Sequence, residues 1–278
     1  MQTWCCWLVK ARGKVAVLKT LQADGRHALC RAAGMMPVNW RLPCRAVAVR
    51  YRSLFSWDMQ NILIIGSSGH AKVVIDVVER QGVFHIAGLI DAFRTIGEET
   101  SGYRVLGAES DLPVLVEQLA VAGLLVAIGD NFVRASVTAR VAALCPQLPF
   151  VSAVHPQACV ARTVHIGAGS VVMAGAVINP GCDVGHGCIV NTRASLDHDS
   201  VMEAFSSLAP AAATGGSCFI GTCSALGMGA LLLQRMRIGS HCVVGAGAVV
   251  TRPVADLCVS YGAPAKMIRS RVAGDKYV

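Results

Sequence analysis

The 278-residue sequence contains no C-x-x-C pair, although it carries 12 cysteines. That absence excludes the usual spacing of a zinc ribbon or a thioredoxin-type redox centre, and no metal is expected. No apolar run reaches the roughly 18 residues that a bilayer-crossing helix requires, so no membrane span is expected either. Acidic residues are nearly missing from the first 58 positions, where Asp24 and Asp58 stand against 10 lysines and arginines. Tryptophan is missing from everything that follows, since Trp4, Trp7, Trp40 and Trp57 are the whole set. Residues 59–278 hold 15 basic and 15 acidic side chains, so the formal net charge of +8 belongs to the front segment alone. A nucleic-acid partner inferred from that overall charge would be an error of averaging, and none is expected. The break predicts that residues 1–58 are a basic extension outside the native protein, which would then begin at Met59. A disordered basic arm, a targeting sequence or a segment packed on the fold are the alternatives.

What is present is a period. From Val154 to Val250 every sixth residue is apolar, through Val160, Ile166, Val172, Ile178, Val184, Val190, Leu196, Met202 and Leu208, with Thr214 the one polar member. Four residues after each falls a small side chain, such as Ser170, Ala176, Cys182, Cys188, Ala194 and Ser200. No helix has a period of six. Two inward positions flanking one outward position describe a short strand, and the other three residues of each hexad must turn a corner. Gly169, Gly175, Gly181, Gly187, Gly229 and Gly247 share one corner slot, as a backbone of positive φ would favour. Three sides close a triangular prism whose coils bury one another's apolar column. Cys182, Cys188, Cys218 and Cys242 occupy the small inward slot, where cysteine acts as a small hydrophobe. Free thiols fit a reducing, cytoplasmic setting.

Between Met59 and the repeat the pattern changes. Asn61 to Ile65 reads as a buried strand, Gly66-Ser67-Ser68-Gly69-His70 as a glycine turn, and Ala71 to Gln81 as an amphipathic helix with Val73, Val74, Val77 and Val78 inward. A second strand, His85 to Ile90, ends at Asp91. A third, Leu124 to Ile128, ends in Gly129-Asp130-Asn131 with Arg134 beyond, and Val114 to Ala122 reads as a further helix. Polar residues gathered at strand ends beside a helix N-terminus are where parallel α/β sheets hold phosphates, although a plain tight turn explains the glycines equally well. The expected architecture is a small α/β domain over 59–150 followed by a β-helix over 151–278.

The motifs Gly66 to Val74, Ala127 to Asn131, Val154-His155-Pro156, Val190-Asn191-Thr192, Asp197-His198-Asp199, Gly245 to Thr251 and Gly262 to Lys266 come in an order that resembles bacterial sugar acetyltransferases of the hexapeptide-repeat class. That class includes sialic acid O-acetyltransferases and nucleotide-4-amino-sugar N-acetyltransferases. The resemblance implies a left-handed parallel β-helix and an N-terminal α/β domain that binds a nucleotide-linked sugar. It further implies a homotrimer with acetyl-CoA lying between subunits. It assigns His198 as general base with Asp199 beside it, and Gly66, Ser67, Ser68, Gly69, His70, Asp91, Gly129, Asp130, Asn131 and Arg134 to the sugar nucleotide. Ser207, Gly216, Met228, Gly229 and Ala246 fall to acetyl-CoA. Independently of it, the hexad register puts Asp197, His198 and Asp199 on one corner, where an imidazole beside a carboxylate suits proton removal from an attacking nucleophile. His186 and His241 also fall on corners, so corner placement alone does not make a histidine catalytic.

The sequence departs from the family pattern at Ser207, where many members carry a second histidine, and at Glu203 and Ala211, where glycine is common. These departures bear on the thioester contacts and the acyl group, and Ser207 favours a scaffold without catalysis. Beside it stand N-acetylation of a nucleotide-linked amino-deoxy sugar, towards which the nucleotide-binding-like first domain points, and O-acetylation of a sugar such as sialic acid, since no motif here encodes the sugar.

Overall fold

The computed structural model describes residues 4–11, 14–21 and 59–277. Residues 1–58 and 59–278 form separate compact units. In the first, β1 (Trp4–Ala11) and β2 (Lys14–Leu21) pair antiparallel, with Trp4 opposite Leu21. Whether residues 1–58 belong to the native protein is an expectation that falls largely outside the described residues.

The second unit begins with a five-stranded sheet in the order β5-β6-β4-β3-β7. Its strands are β3 (Gln60–Ile65), β4 (Phe84–Ile90), β5 (Glu99–Thr100), β6 (Tyr103–Gly107) and β7 (Val121–Val126). All neighbours run parallel except β5 against β6. The fully apolar centre of β3, from Ile62 to Ile65, suits a strand covered on both faces. Helix α1 (Gly69–Gln81) ends at Gly82, whose φ of 65° closes the last turn. It buries Ala71, Val74, Ile75, Val77 and Val78, whereas Val73, expected inward, is 41% exposed. One position on a 3.6-residue turn rotates it to the solvent side.

Helix α2 (Leu112–Gln118) is shorter than the segment to Ala122 predicted from the sequence. It starts with Pro113 in its first turn, and Ala120 takes a φ of 47°, which ends the helix and lets Val121 and Ala122 open β7. Strand β7 therefore begins three residues before the expected Leu124 and stops at Val126. Helix α3 (Asn131–Leu144) was not foreseen. Its Asp130 cap and the inward Val137 and Val141 are an ordinary start signal and an i, i+4 pair, masked in the sequence by the ligand-type residues Asp130, Asn131 and Arg134 at its start.

From Ala153 onwards the chain winds as hexads into three parallel sheets of two-residue strands. An eight-stranded sheet starts at Ala153–Val154, a six-stranded one at Cys159–Val160 and a five-stranded one at His165–Ile166. Each residue pairs with the one 18 positions on, as Val171 does with Ile189. The predicted column is the core: Val172, Val184, Val190, Leu196, Leu208, Ile220 and Leu226 are wholly buried with Ala176, Cys188 and Ala194. The corner slot has positive φ at Gly169, Gly175, Gly181 and Gly187, as expected, but also at Arg193, Asp199, Phe205 and Ala211. Coil stacking thus imposes the left-handed corner even where a side chain makes it costly. Strand Cys258–Tyr261 extends the eight-stranded sheet, and Lys266–Ser270 closes it antiparallel.

The α/β domain sits on the eight-stranded face. Outward Ala153, Val171 and Ile189 pack in one cluster with Val74, Ile75 and Val78 of α1.

Candidate active site

The corner Asp197-His198-Asp199 lies between the six-stranded and five-stranded sheets, after strand Ser195–Leu196 and before Val201–Met202. His198 Nδ1 lies 2.8 Å from Asp199 Oδ2. A carboxylate only accepts, so Nδ1 carries the proton and Nε2 keeps its lone pair. The hydrogen bond that Nδ1 donates to Asp199, helped by the charges of Asp197 and Asp199, raises the imidazole above its ordinary value against a small opposing cost of burial. Asp197 Oδ1 accepts from the His198 backbone N–H at 2.8 Å and from Asn179 Nδ2 at 2.6 Å. These bonds hold the Asp197 carboxyl below its usual value.

Glycines make room for this corner on both adjacent coils. A Cβ on Gly216 would collide with the His198 ring, and a Cβ on Gly181 with Asp199 Oδ1. Both carboxylates and the imidazole remain partly open to solvent, so the corner offers a proton acceptor with its tautomer fixed and one bare nitrogen. That arrangement suits removal of a proton from an approaching amine or hydroxyl.

A second group of predicted residues gathers at the strand ends of the α/β domain. Asp91 Oδ2 accepts from Ser67 N at 2.9 Å and Ser67 Oγ at 2.6 Å, and Thr100 Oγ1 donates to Ser67 O, which fixes the turn after β3. Gly66 has a φ of 104°, and a Cβ there would press on Ala127 O at 3.0 Å. Ser68 makes no side-chain cap to α1, and no acidic residue stands in its first turn. The positive end of this 13-residue helix is consequently open beside exposed Ser68, Gly69 and Lys72.

His70 faces Gly129, its ring atoms 3.7 Å from where a Cβ would stand. Burial, and then the Arg134 charge, lower its pKa to about 4, so it is neutral at ordinary pH. Its Nε2 is buried with no hydrogen-bond partner among the described residues. Asp130 caps α3 by accepting from Val133 N at 2.9 Å.

Arg134 and Asn131 hold a different place from the ligand contact expected of them. Arg134 Nε donates to Gly187 O, Nη1 to Ile128 O and Gly129 O, and Nη2 to Asn131 Oδ1 and Phe205 O. All five guanidinium N–H groups are taken, which leaves no donor for a nucleotide. Asn131 Nδ2 donates to Ser207 Oγ and Ser224 O at 3.0 Å, and its backbone N–H to Tyr277 Oη. Together they clamp the α/β domain onto the β-helix.

The residues expected around acetyl-CoA divide three ways. Gly216 belongs to the His198 corner. Met228, 61% exposed, Gly229 and Ala246 line the corner between the eight- and six-stranded sheets. Ser207 is only 9% exposed, on the covered face beneath Asn131. Within one chain the His198 corner stands opposite the face that carries the α/β domain, so His198 and the strand-end cluster are not brought together. Hexad reading missed Asn179, Gly181 and Thr214 as neighbours of His198, although the signal was available. They lie 18 residues from Asp197, Asp199 and Leu196 respectively.

Comparison with known proteins agrees with this architecture. The PglD N-terminal domain family matches residues 61–141. Perosamine N-acetyltransferase from Caulobacter crescentus, solved as a histidine-to-asparagine variant with CoA and GDP-perosamine, is 37% identical over 76% of this chain and 98% of that one, with a TM-score of 0.72. The acetyltransferase domain of PglB from Neisseria gonorrhoeae FA1090, with acetyl coenzyme A, is 35% identical over 75% of this chain and 99% of that one, with a TM-score of 0.69. UDP-N-acetylbacillosamine N-acetyltransferase of Bacillus subtilis (strain 168) is 31% identical over 117 residues, 42% of this chain; the match spans about half of that relative, 52%.

Proposed function

The chain belongs to the bacterial sugar acetyltransferases of the hexapeptide-repeat class, and we propose that it transfers the acetyl group of acetyl-CoA to the amino group of a nucleotide-linked amino-deoxy sugar. The observation that carries this reading is the Asp197-His198-Asp199 corner. His198 Nε2 takes the proton from the attacking amine as nitrogen bonds to the thioester carbon, Asp199 stabilises the imidazolium formed, and collapse of the tetrahedral adduct expels CoA thiolate. One relative, solved with CoA and GDP-perosamine, carries the same histidine replaced by asparagine in one structure and by alanine in another, which supports a histidine at the reacting centre of that protein. The open positive end of α1, with Ser68, Gly69 and Lys72, receives the nucleotide's phosphates, and the orphaned His70 Nε2 faces the acceptor side.

The reading requires a second chain. The outward slots of the six-stranded face are Cys159, Val177, Ser195, Ala213, Leu231 and Val249, without a charge among them, whereas the five-stranded face carries His165, Asp183 and Arg237. An uncharged face next to the His198 corner suits packing against another copy, and a homotrimer closes three such contacts. Acetyl-CoA then lies between the Gly216 corner of one copy and the Met228, Gly229 and Ala246 corner of the next. Eight free cysteines among the described residues suit a cytoplasmic enzyme.

The test is release of CoA thiol from acetyl-CoA across a panel of nucleotide-linked amino sugars, with sialic acid included. Release with an amino sugar alone is the expected result. Release with sialic acid alone would make it an O-acetyltransferase, and none with any acceptor would leave a scaffold. Light scattering that showed an active monomer would remove the shared site.

A further inference from the structure

Thr214 interrupts an otherwise aliphatic column, and packing gives no reason for it. It is 8% exposed, and a valine would fill the same volume without placing a hydroxyl among apolar neighbours. The backbone around it is also irregular. From His155 to Leu233 the residue after each strand donates its N–H to the carbonyl 17 positions on, as Asn179 does to Leu196 at 2.9 Å and Gly215 to Leu232 at 2.8 Å. Among the described residues of that run, Asp197 alone breaks the series. Its N–H donates to Thr214 Oγ1 at 2.9 Å instead of to the Thr214 carbonyl. The pairing of strand Ser195–Leu196 with Ala213–Thr214 is correspondingly reduced to Ser195 with Ala213, where the next coil up keeps both pairs.

We propose that Thr214 is a positioning residue for His198: its hydroxyl draws the Asp197 amide off the coil-stacking bond, and this sets the Asp197 carboxylate to grip the His198 backbone. Asp197 Oδ1 can reach both the His198 N–H and Asn179 Nδ2 because its main chain is held by a side chain rather than by the regular ladder. The irregular bond occurs at the corner that carries the proposed base and at no other corner of the run. The proposal rests on His198 serving as that base.

The charged groups that face His198 are few, which makes its titration a clean reporter. Asp197 and Asp199 flank it. The coil below presents Asn179, Pro180 and Gly181, the coil above Gly215, Gly216 and Ser217, all uncharged, and Arg162 and Arg235 lie two coils away on either side.

Thr214→Val and Thr214→Ser in the full chain test it. With valine, the thermal midpoint should hold or rise, KM for acetyl-CoA should stay within about twofold, and kcat should fall by about 10- to 100-fold, the scale of a misplaced catalytic group. The His198 ring resonance, followed by NMR across pH, should titrate lower than in the unaltered chain, and serine should restore both readouts. Unchanged kcat and unchanged titration with valine would overturn the proposal. So would a loss of kcat that tracks a lowered midpoint and is not recovered with serine. If the valine protein does not fold, Thr214→Ala takes its place with the same readouts. The NMR titration needs no substrate, so it decides the positioning role even if the unaltered chain acetylates nothing and the acetyltransferase reading fails.

Discussion

The β-helix and the α/β domain bury side chains by different logics. In the β-helix a step of 18 residues carries one buried side chain onto another of its kind, so that Val172, Val190, Leu208, Leu226 and Val244 form one column. In the α/β domain two separate clusters flank the sheet, one built with Val74 and Val78 of α1 and the other with Val137 and Val141 of α3. No fixed interval relates their members. A repeat therefore announces its exceptions, because each departure breaks a stated rule, whereas a domain without a repeat has no rule for an unusual residue to break.

If that contrast is sound, a change at a β-helix corner should alter chemistry and spare the fold. His198→Ala should lower kcat by about 10²- to 10⁴-fold, the usual contribution of a positioned general base. The thermal midpoint should stay within error, since the ladder beneath is intact, and acetyl-CoA binding by calorimetry should change little. Turnover above about a third of the unaltered value would sink the proposed base and bring His70 forward.

The opposite outcome is expected at the clamp. Arg134→Met keeps the side-chain bulk but leaves Gly187 O, Ile128 O, Gly129 O and Phe205 O without their donor, and each buried acceptor left unpaired costs about 1–3 kcal/mol unless water reaches it. A loss of about 3 kcal/mol or more in urea unfolding is expected. A change below about 1 kcal/mol would mean that the two domains are held by their apolar contact and the Asn131 bonds without help from Arg134.

Legibility from sequence follows the same division. The inward slots, the corner glycines and the corner position of His198 were readable because six residues of context fix each position. Asn179, Gly181 and Thr214 were readable in principle, but only once three hexads were counted as one coil. Arg134 was not. Its strand-end setting implied a ligand contact, and nothing local shows that Gly187 and Phe205, more than 50 positions away, would take its donors. Helix α2 was overextended because the left-handed turn at Ala120 has no glycine to mark it.

The pH dependence of stability sharpens the comparison at smaller scale. His70 is held neutral by burial and by Arg134, with a pKa near 4 against an ordinary 6.5. Between those values the unfolded chain binds the proton and the folded one does not, so this residue's contribution is fully present above about pH 6.5 and is lost as pH falls towards 4. Thermal midpoints of His70→Gln and the unaltered chain should converge in relative terms as pH drops from 7 to 4.5, because glutamine has no proton to take. Parallel curves would mean that His70 is not desolvated.

The smallest expected effect lies at the exposed corner, where water screens what burial magnifies at His70. Asp199 raises His198, so Asp199→Asn should let the imidazole lose its proton at lower pH. The acid limb of kcat should therefore move down, and only modestly since both side chains are half open to solvent. Asparagine's carbonyl can still accept from Nδ1, which keeps the tautomer and the bare Nε2, so turnover above the limb should fall far less than with His198→Ala. Added salt should narrow the difference between the two proteins, because it weakens only the charge that asparagine lacks. A limb that moved upward, or did not move at all, would detach Asp199 from His198 and leave Asp197 as the sole carboxylate acting on the base.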